Sequence, residues 1–328
     1  MAEFKYIPQS EIFNCSVELS GAKKFYVLDG KPMGFSAKDE VIEIPSEGDL
    51  LTQVIFVRTT PHPSSYKVRI FCPAGSSRAV ILCAHTTGTD RYVTEESVEI
   101  VMEENSNLSL IVMQNENGAS SHHSTFEITQ KSSSSVSMNI ITLHGGNIAN
   151  RVNCSLNGKR AEVQLSGLYL AGGEQNIDTT VNLRHNSGEC TSNQLFKGIL
   201  GGNARTSFMG EVYVAKDSQK TEAYQANNNL LVSDTARAIS DPHLVIYADD
   251  VKCSHGSTVG SLADEELFYM RSRGISEPEA KLLQQQAFAG AVLEKISNVE
   301  IRERLSRLVE RRLRGEDTLC TGCAKRCC

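Results

Sequence analysis

The chain has 328 residues, which at roughly 150 per domain allows about two domains, and its 40% hydrophobic and 22% charged residues are those of an ordinary globular protein. A formal charge of −6 argues against nucleic acid as the main partner, because phosphate binding needs a basic surface. No apolar run approaches the ~18 residues that span a bilayer, and the opening Met1-Ala-Glu-Phe-Lys-Tyr-Ile-Pro8 lacks the basic and apolar stretches of a signal peptide, so a cytoplasmic protein without a membrane span is expected.

Residues 1–52 read as extended and irregular, with no fold assigned. From Gln53 to about residue 258 the signal is short alternating runs broken by Gly, Asn and Ser. Tyr66–Cys72, Ser97–Val101, Leu108–Val112, Phe126–Ile128, Val136–Leu143, Arg151–Leu156, Ala161–Leu165, Thr180–Leu183, Phe208–Val214 and Leu244–Tyr247 all carry it. Period-two alternation is the strand signature, and the breakers supply turns. Ten or more strands without helical crossovers leave a sandwich, a barrel or a β-solenoid. Recurrence at about 8–12 residues fits a sandwich or a solenoid. Asn-rich turns suited to stacked side chains, and a region long for one sandwich, favour the solenoid. Gly145-Gly146, Gly172-Gly173 and Gly201-Gly202 are read as its corners.

The character changes after residue 258. Ser261-Leu-Ala-Asp264, Ser276-Glu-Pro-Glu279 and Ser297-Asn-Val-Glu300 each place a Ser three residues before a carboxylate, the capping-box pattern of a helix start. Gly274 is placed to end the first helix and Pro278 to open the second. Ile301, Leu305, Leu308, Val309 and Leu313 form one stripe on the third. A helical unit over 259–315 is expected, followed by a Cys-rich tail over 316–328.

Of the ten cysteines, Cys15, Cys72, Cys83, Cys154, Cys190 and Cys253 are scattered singly and read as small hydrophobes of a reduced interior. Cys320, Cys323, Cys327 and Cys328 crowd the tail, where a metal or cluster site and a redox-prone terminus are both open readings. The basic run Arg302, Arg304, Arg307, Arg311, Arg312 and Arg314 reads as a solvated helix face, with a docking surface as the alternative.

No P-loop, zinc-protease or nucleophile-elbow motif is present, so neither ATP hydrolysis by this chain alone nor the commonest hydrolase chemistry is expected. The adjacent acids Asp249-Asp250 would point to opposite faces of a strand, which weakens a polysaccharide hydrolase or lyase reading. The densest group of reactive residues is Ala248-Asp-Asp-Val-Lys-Cys-Ser-His-Gly256. If it continues the strand at Leu244–Tyr247, Cys253 and His255 project to one face. A thiolate and an imidazole suit iron or zinc, yet two ligands do not complete a site, so further donors must come from elsewhere, such as a second chain.

Ile246-Tyr-Ala-Asp-Asp-Val-Lys-Cys-Ser-His-Gly-Ser-Thr-Val-Gly260 and Leu267-Phe-Tyr-Met-Arg-Ser-Arg-Gly-Ile275 resemble the signature of the SufD family, scaffold components of the SUF iron–sulfur cluster assembly system. Lys197-Gly-Ile-Leu200, Phe208-Met-Gly-Glu-Val-Tyr-Val214 and Gln225-Ala-Asn-Asn-Asn-Leu-Leu231 extend the likeness, which covers roughly residues 100–310. The resemblance implies a right-handed parallel β-helix followed by a C-terminal helical domain. It also implies a non-enzymatic scaffold whose helices dock the ABC-type ATPase SufC. The β-helix would pair with the paralogue SufB, or with itself. A transient iron–sulfur cluster would assemble at that junction, with iron or flavin entering at the level of the complex. His255 is then the implied ligand and Cys253 the weaker one. A SufB-type paralogue is the nearest alternative. Two departures stand out: family members commonly carry an N-terminal helical region that residues 1–50 do not show, and the Cys-rich tail is not a family feature.

Overall fold

The computed structural model describes Leu19 and residues 21–33, 37–38, 41–44 and 51–316. Among these residues nineteen strands run in chain order: β1 (Lys23–Leu28), β2 (Lys31–Met33), β3 (Ala37–Lys38), β4 (Val41–Glu43), β5 (Thr52–Arg58), β6 (Ser64–Cys72), β7 (Ser77–Thr86), β8 (Val93–Met102), β9 (Asn107–Asn115), β10 (Ser121–Gln130), β11 (Ser135–His144), β12 (Asn147–Leu156), β13 (Glu162–Ala171), β14 (Asn176–His185), β15 (Thr191–Leu200), β16 (Arg205–Val214), β17 (Thr221–Leu231), β18 (Arg237–Ile246) and β19 (Val251–Ser261). From β5 onward alternate strands fall into two sheets, β5-β7-β9-β11-β13-β15-β17-β19 and β6-β8-β10-β12-β14-β16-β18, and every pairing within them is parallel. Each coil contributes one strand to each sheet. The fold is a parallel β-solenoid, closed on its axis by the residues that point inward.

Two expectations are corrected. Residues 23–43, read as irregular, supply β1 to β4, and β1 and β4 extend the two sheets by parallel pairing to β5 and β6. The spacing is also longer than 8–12 residues: from β8 onward, strands begin 12 to 16 positions apart. The short runs legible in the sequence are the most regular stretches of longer strands.

The sheets differ because, among the described residues, only one is covered. Strands of the β6–β18 sheet alternate buried and exposed, as in β8 and β10, so their outer face meets solvent. In β7, β9, β11 and β13 the C-terminal half is buried on both faces. What covers them is helical. The helices are α1 (Asp264–Ser272), α2 (Glu277–Leu293) and α3 (Val299–Leu313). Ala289, Val292 and Leu293 of α2 and Ile301, Leu305, Leu308 and Val309 of α3 pack on Ile81, Ile111, Ile141, Leu168 and Ile199 of the sheet. The apolar stripe expected on the third helix is this contact. Its basic face is largely committed within the chain: Arg304 pairs with Glu300, Arg311 with Glu316, and Arg314 with Glu279 and Glu310. Arg312 reaches the solenoid, donating to the carbonyl of Leu143 at 3.2 Å and to Gln175 at 3.4 Å.

The caps depart in part from the capping boxes. α1 starts after Ala263 rather than Ser261. Ser276 is the N-cap of α2, but its side chain makes no capping bond. α3 is capped by Asn298, not Ser297, with its side chain accepting from the Ile301 N–H at 3.0 Å. Asn298→Ala is therefore expected to lower stability by about 1 kcal/mol in urea unfolding. Gly274, at φ +88°, ends α1 as expected: its N–H bonds Arg271 and that of Ile275 bonds Met270, a Schellman arrangement.

Stacked asparagines are present, mostly on strands rather than in turns. Asn176 donates to Asn147 at 3.0 Å, Asn182 to Asn153 at 2.8 Å and Asn186 to Asn157 at 2.8 Å, each one coil apart. Gly173 and Gly202 occupy left-handed corners at φ +60° and +61°, as the Gly-Gly pairs predict.

Candidate functional site at the open end of the solenoid

The segment singled out in the sequence does not continue β18. Residues 247–250 turn a corner, and Asp249 and Asp250 sit there rather than on a strand. The chain then enters the other sheet as β19, which among the described residues pairs with β17 alone. Cys253 lies beside Ala223 and His255 beside Gln225, both buried inward-facing residues of β17. Cys253 and His255 therefore share the inward face of the last rung. Among the described residues no further coil caps that rung. Cys253 is half-buried against the core, whereas His255 is exposed.

The backbone of the same two residues faces outward from the sheet edge. Asp250 accepts from the Lys220 N–H, so even-numbered residues of β19 turn their peptide groups to β17. Alternation then puts the N–H and C=O groups of Cys253 and His255 on the open edge. In β18, the Arg237 and Tyr247 N–H groups bond Ala204 and Val214, which leaves even-numbered residues facing the edge. Pro242 is one of them and has no N–H to offer, as suits an edge strand. The outer face of β19 is pinned by Lys252 to Glu222 at 2.9 Å and Thr258 to Asn228 at 2.9 Å.

Burial pushes the Cys253 thiol up from its ordinary range, partly offset by the Ala223 N–H. Among the described residues no group of three or more His, Cys, Asp and Glu is arranged to hold a metal. Cys253 and His255 thus form at most part of a ligand set. Cys320, Cys323, Cys327, Cys328 and Cys15 lie outside the described residues. Cys72, Cys83, Cys154 and Cys190 are buried and unbridged.

Sequence reading missed the polar interior. Tyr169 donates to Asn229 at 2.7 Å, Asn229 to Asn227 at 2.8 Å, and Asn227 back to Tyr169 at 2.9 Å. Toward the other end, the buried His122 lies 3.0 Å from Glu116 and 3.4 Å from Glu96, and Ser124 donates to Glu96 at 2.9 Å. Burial opposes a charge on the His122 ring, but Glu116 and then Glu96 outweigh it and raise its pKa to about 10. A signal existed: Glu96 shares the parity of Val98 and Ile100, and His122 that of Phe126 and Ile128.

With this geometry in view, the comparisons with known proteins are direct. Residues 57–288 match the family described as SUF system FeS cluster assembly, SufBD core domain. Over 250 residues the chain is 31% identical to the iron-sulfur cluster assembly protein SufD of Escherichia coli (strain K12), covering 76% of this chain and 59% of that one. It is 31% identical over 284 residues to the SufBD family protein slr0076 of Synechocystis, covering 82% and 62%. To the Arabidopsis thaliana Protein ABCI7, chloroplastic, it is 31% identical over 215 residues, covering 65% and 45%. The chain spans about three-fifths of the length of the first two relatives. A parallel β-solenoid ending in the Lys-Cys-Ser-His strand, with this match along most of its length, belongs to the SufBD family of SUF-system iron–sulfur cluster assembly proteins and is SufD-like within it.

Proposed function

We propose that this chain is a non-catalytic assembly scaffold in which His255, seconded by Cys253, supplies part of the ligand set for a nascent iron–sulfur cluster. The remaining ligands come from a SufB-like paralogue, or a second copy, docked on the open end of the solenoid. The observation that carries this reading is the exposed imidazole on an uncapped rung whose own backbone groups lie on a free strand edge. A partner strand added to that edge would bond the peptide groups of Cys253 and His255 and bring its own side chains beside the imidazole. A cluster held by few, shared ligands is one that can be released when the junction moves.

The helices over 259–315 are the proposed dock for a SufC-like ABC ATPase, which would supply the nucleotide chemistry. Phe268 and Tyr269 of α1 favour this, since they are 74% and 58% exposed on a helix anchored through Leu267. A reducing, cytoplasmic setting belongs to the same reading. Among the described residues, no helix is long and apolar enough to cross a membrane.

The test is His255→Ala in the complex reconstituted with its paralogue and ATPase. Cluster formation, followed by absorbance and bound iron, is expected to fall at least about tenfold. Stability should change by less than about 0.5 kcal/mol, because the side chain is exposed. Undiminished cluster formation would refute the role.

A further inference from the structure

We propose that Gln225 is a positioning residue for His255: its buried carboxamide oxygen accepts the imidazole N–H and so decides which ring nitrogen is left free for a ligand. The inference deepens the reading of His255 as a cluster ligand, but its geometry stands apart from that reading.

Gln225 and His255 are direct partners in the parallel register and share the inward face. Side chains so placed stand about 5 Å apart. Gln225 is 3% exposed, and its Nε2 donates to Gln194 Oε1 at 2.9 Å, on the side of the preceding coil. The two ends of a carboxamide diverge, so the Nε2 bond to Gln194 leaves the oxygen available to the rung that bears His255. Among the described residues that oxygen has no hydrogen-bond partner. A buried acceptor left unpaired is costly, and on the side of the last rung the donor the register offers it is the imidazole, brought to it by rotation of an exposed side chain.

The column confirms that the amide is not generic filling. Through successive coils it runs Met138, Leu165, Gln194, Gln225, His255, so it turns polar only as it nears the imidazole. The opposite sheet makes room for it. A β-carbon on Gly210 would lie 2.2 Å from Gln225 Nε2 and 2.8 Å from its Cδ. The amide is thus held in place rather than free to turn. A neutral imidazole carries one N–H and one lone pair, so an acceptor fixed on one side selects the tautomer and aims the other nitrogen outward.

The experiment is a long-range proton–nitrogen correlation spectrum of the full chain labelled with 15N-histidine, with His255 assigned by its loss in His255→Ala. One His255 tautomer is expected to dominate. Gln225→Leu should even out the two tautomers, and Gly210→Ala, which displaces the amide, should do the same. Gln225→Glu, which keeps an oxygen acceptor at the same place, should retain one dominant tautomer. The other histidine signals report whether each variant is folded, and if Gln225→Leu is not, the Gly210→Ala variant carries the decision. A His255 tautomer ratio unchanged in folded Gln225→Leu or Gly210→Ala would overturn the inference. Retained cluster formation in His255→Ala would instead remove the ligand role and leave the tautomer result standing.

Discussion

Replacing His122 with Leu is expected to destabilise the chain by about 3–5 kcal/mol at neutral pH, the usual cost of leaving a buried charge without its partner. The ring is 1% exposed and lies between Glu116 and Glu96, which are buried as deeply. Tyr66 closes the cluster, its hydroxyl pushed well above its ordinary range by burial and by the same two carboxylates. Truncating the imidazole leaves two carboxylates inside the solenoid with their countercharge gone. The same cluster predicts a dependence on pH. His122 has a folded-state pKa of about 10 against an ordinary value of 6.5. Its proton is bound more tightly when folded, so the contribution is complete below about 6.5 and is lost as pH rises through about 10. Urea midpoints measured at pH 7 and 10 should converge for wild type and variant at the higher pH. A midpoint in the variant equal to wild type at pH 7 would show that the ring carries no countercharge. Adding Glu116→Gln to His122→Leu should restore part of the loss, since one of the stranded charges is removed.

Gly158→Ala is expected to cost about 3 kcal/mol or more, at the upper end of overpacking effects. A β-carbon there would lie 2.0 Å from the Ser132 nitrogen, 2.4 Å from the Lys131 carbonyl carbon and 2.5 Å from Ser132 Cα. All three are backbone atoms of the corner one coil away, so no side chain can swing aside. That corner is bonded to its neighbour by Asn157 and Gly158 N–H to Gln130, and by Ser133 N–H to Lys159. Relieving the clash must part these bonds and open the stack between two coils. Gly173→Ala is the control: φ is +60°, but nothing lies within 4 Å of the added carbon. It should cost about 1–2 kcal/mol, the conformational penalty alone. Urea unfolding compares the two, and equal losses would mean that the Gly158 corner yields without strain.

The alternating runs were legible because a strand with one wet face must repeat every second residue, and the sheet of β8, β10 and β12 has such a face. β15, β17 and most of β7 escaped that reading. Their outer faces lie against helices or polar partners, so alternation fades in Ser77–Thr86 and in the Asn-rich Thr221–Leu231. The 12-to-16-residue spacing was hidden for the same reason: the corners and frayed halves of strands carry no hydrophobic pattern, and no strict repeat binds one coil to the next.

By itself, the order of residues determined that this is a strand-built chain with three terminal helices, that the apolar stripe of Ile301, Leu305 and Leu308 must be covered, and that Cys253 and His255 fall on one face. These follow from local periodicity, which backbone geometry imposes on any strand or helix. Only the tertiary structure decided that this face looks into an uncapped rung, that Gln225 and Gly210 meet beneath His255, and that Glu96, Glu116 and His122 converge. Those contacts join residues up to 30 positions apart, and their alignment depends on the length of every corner between them. Coil register is a property of the whole stack, and no short window of the sequence contains it.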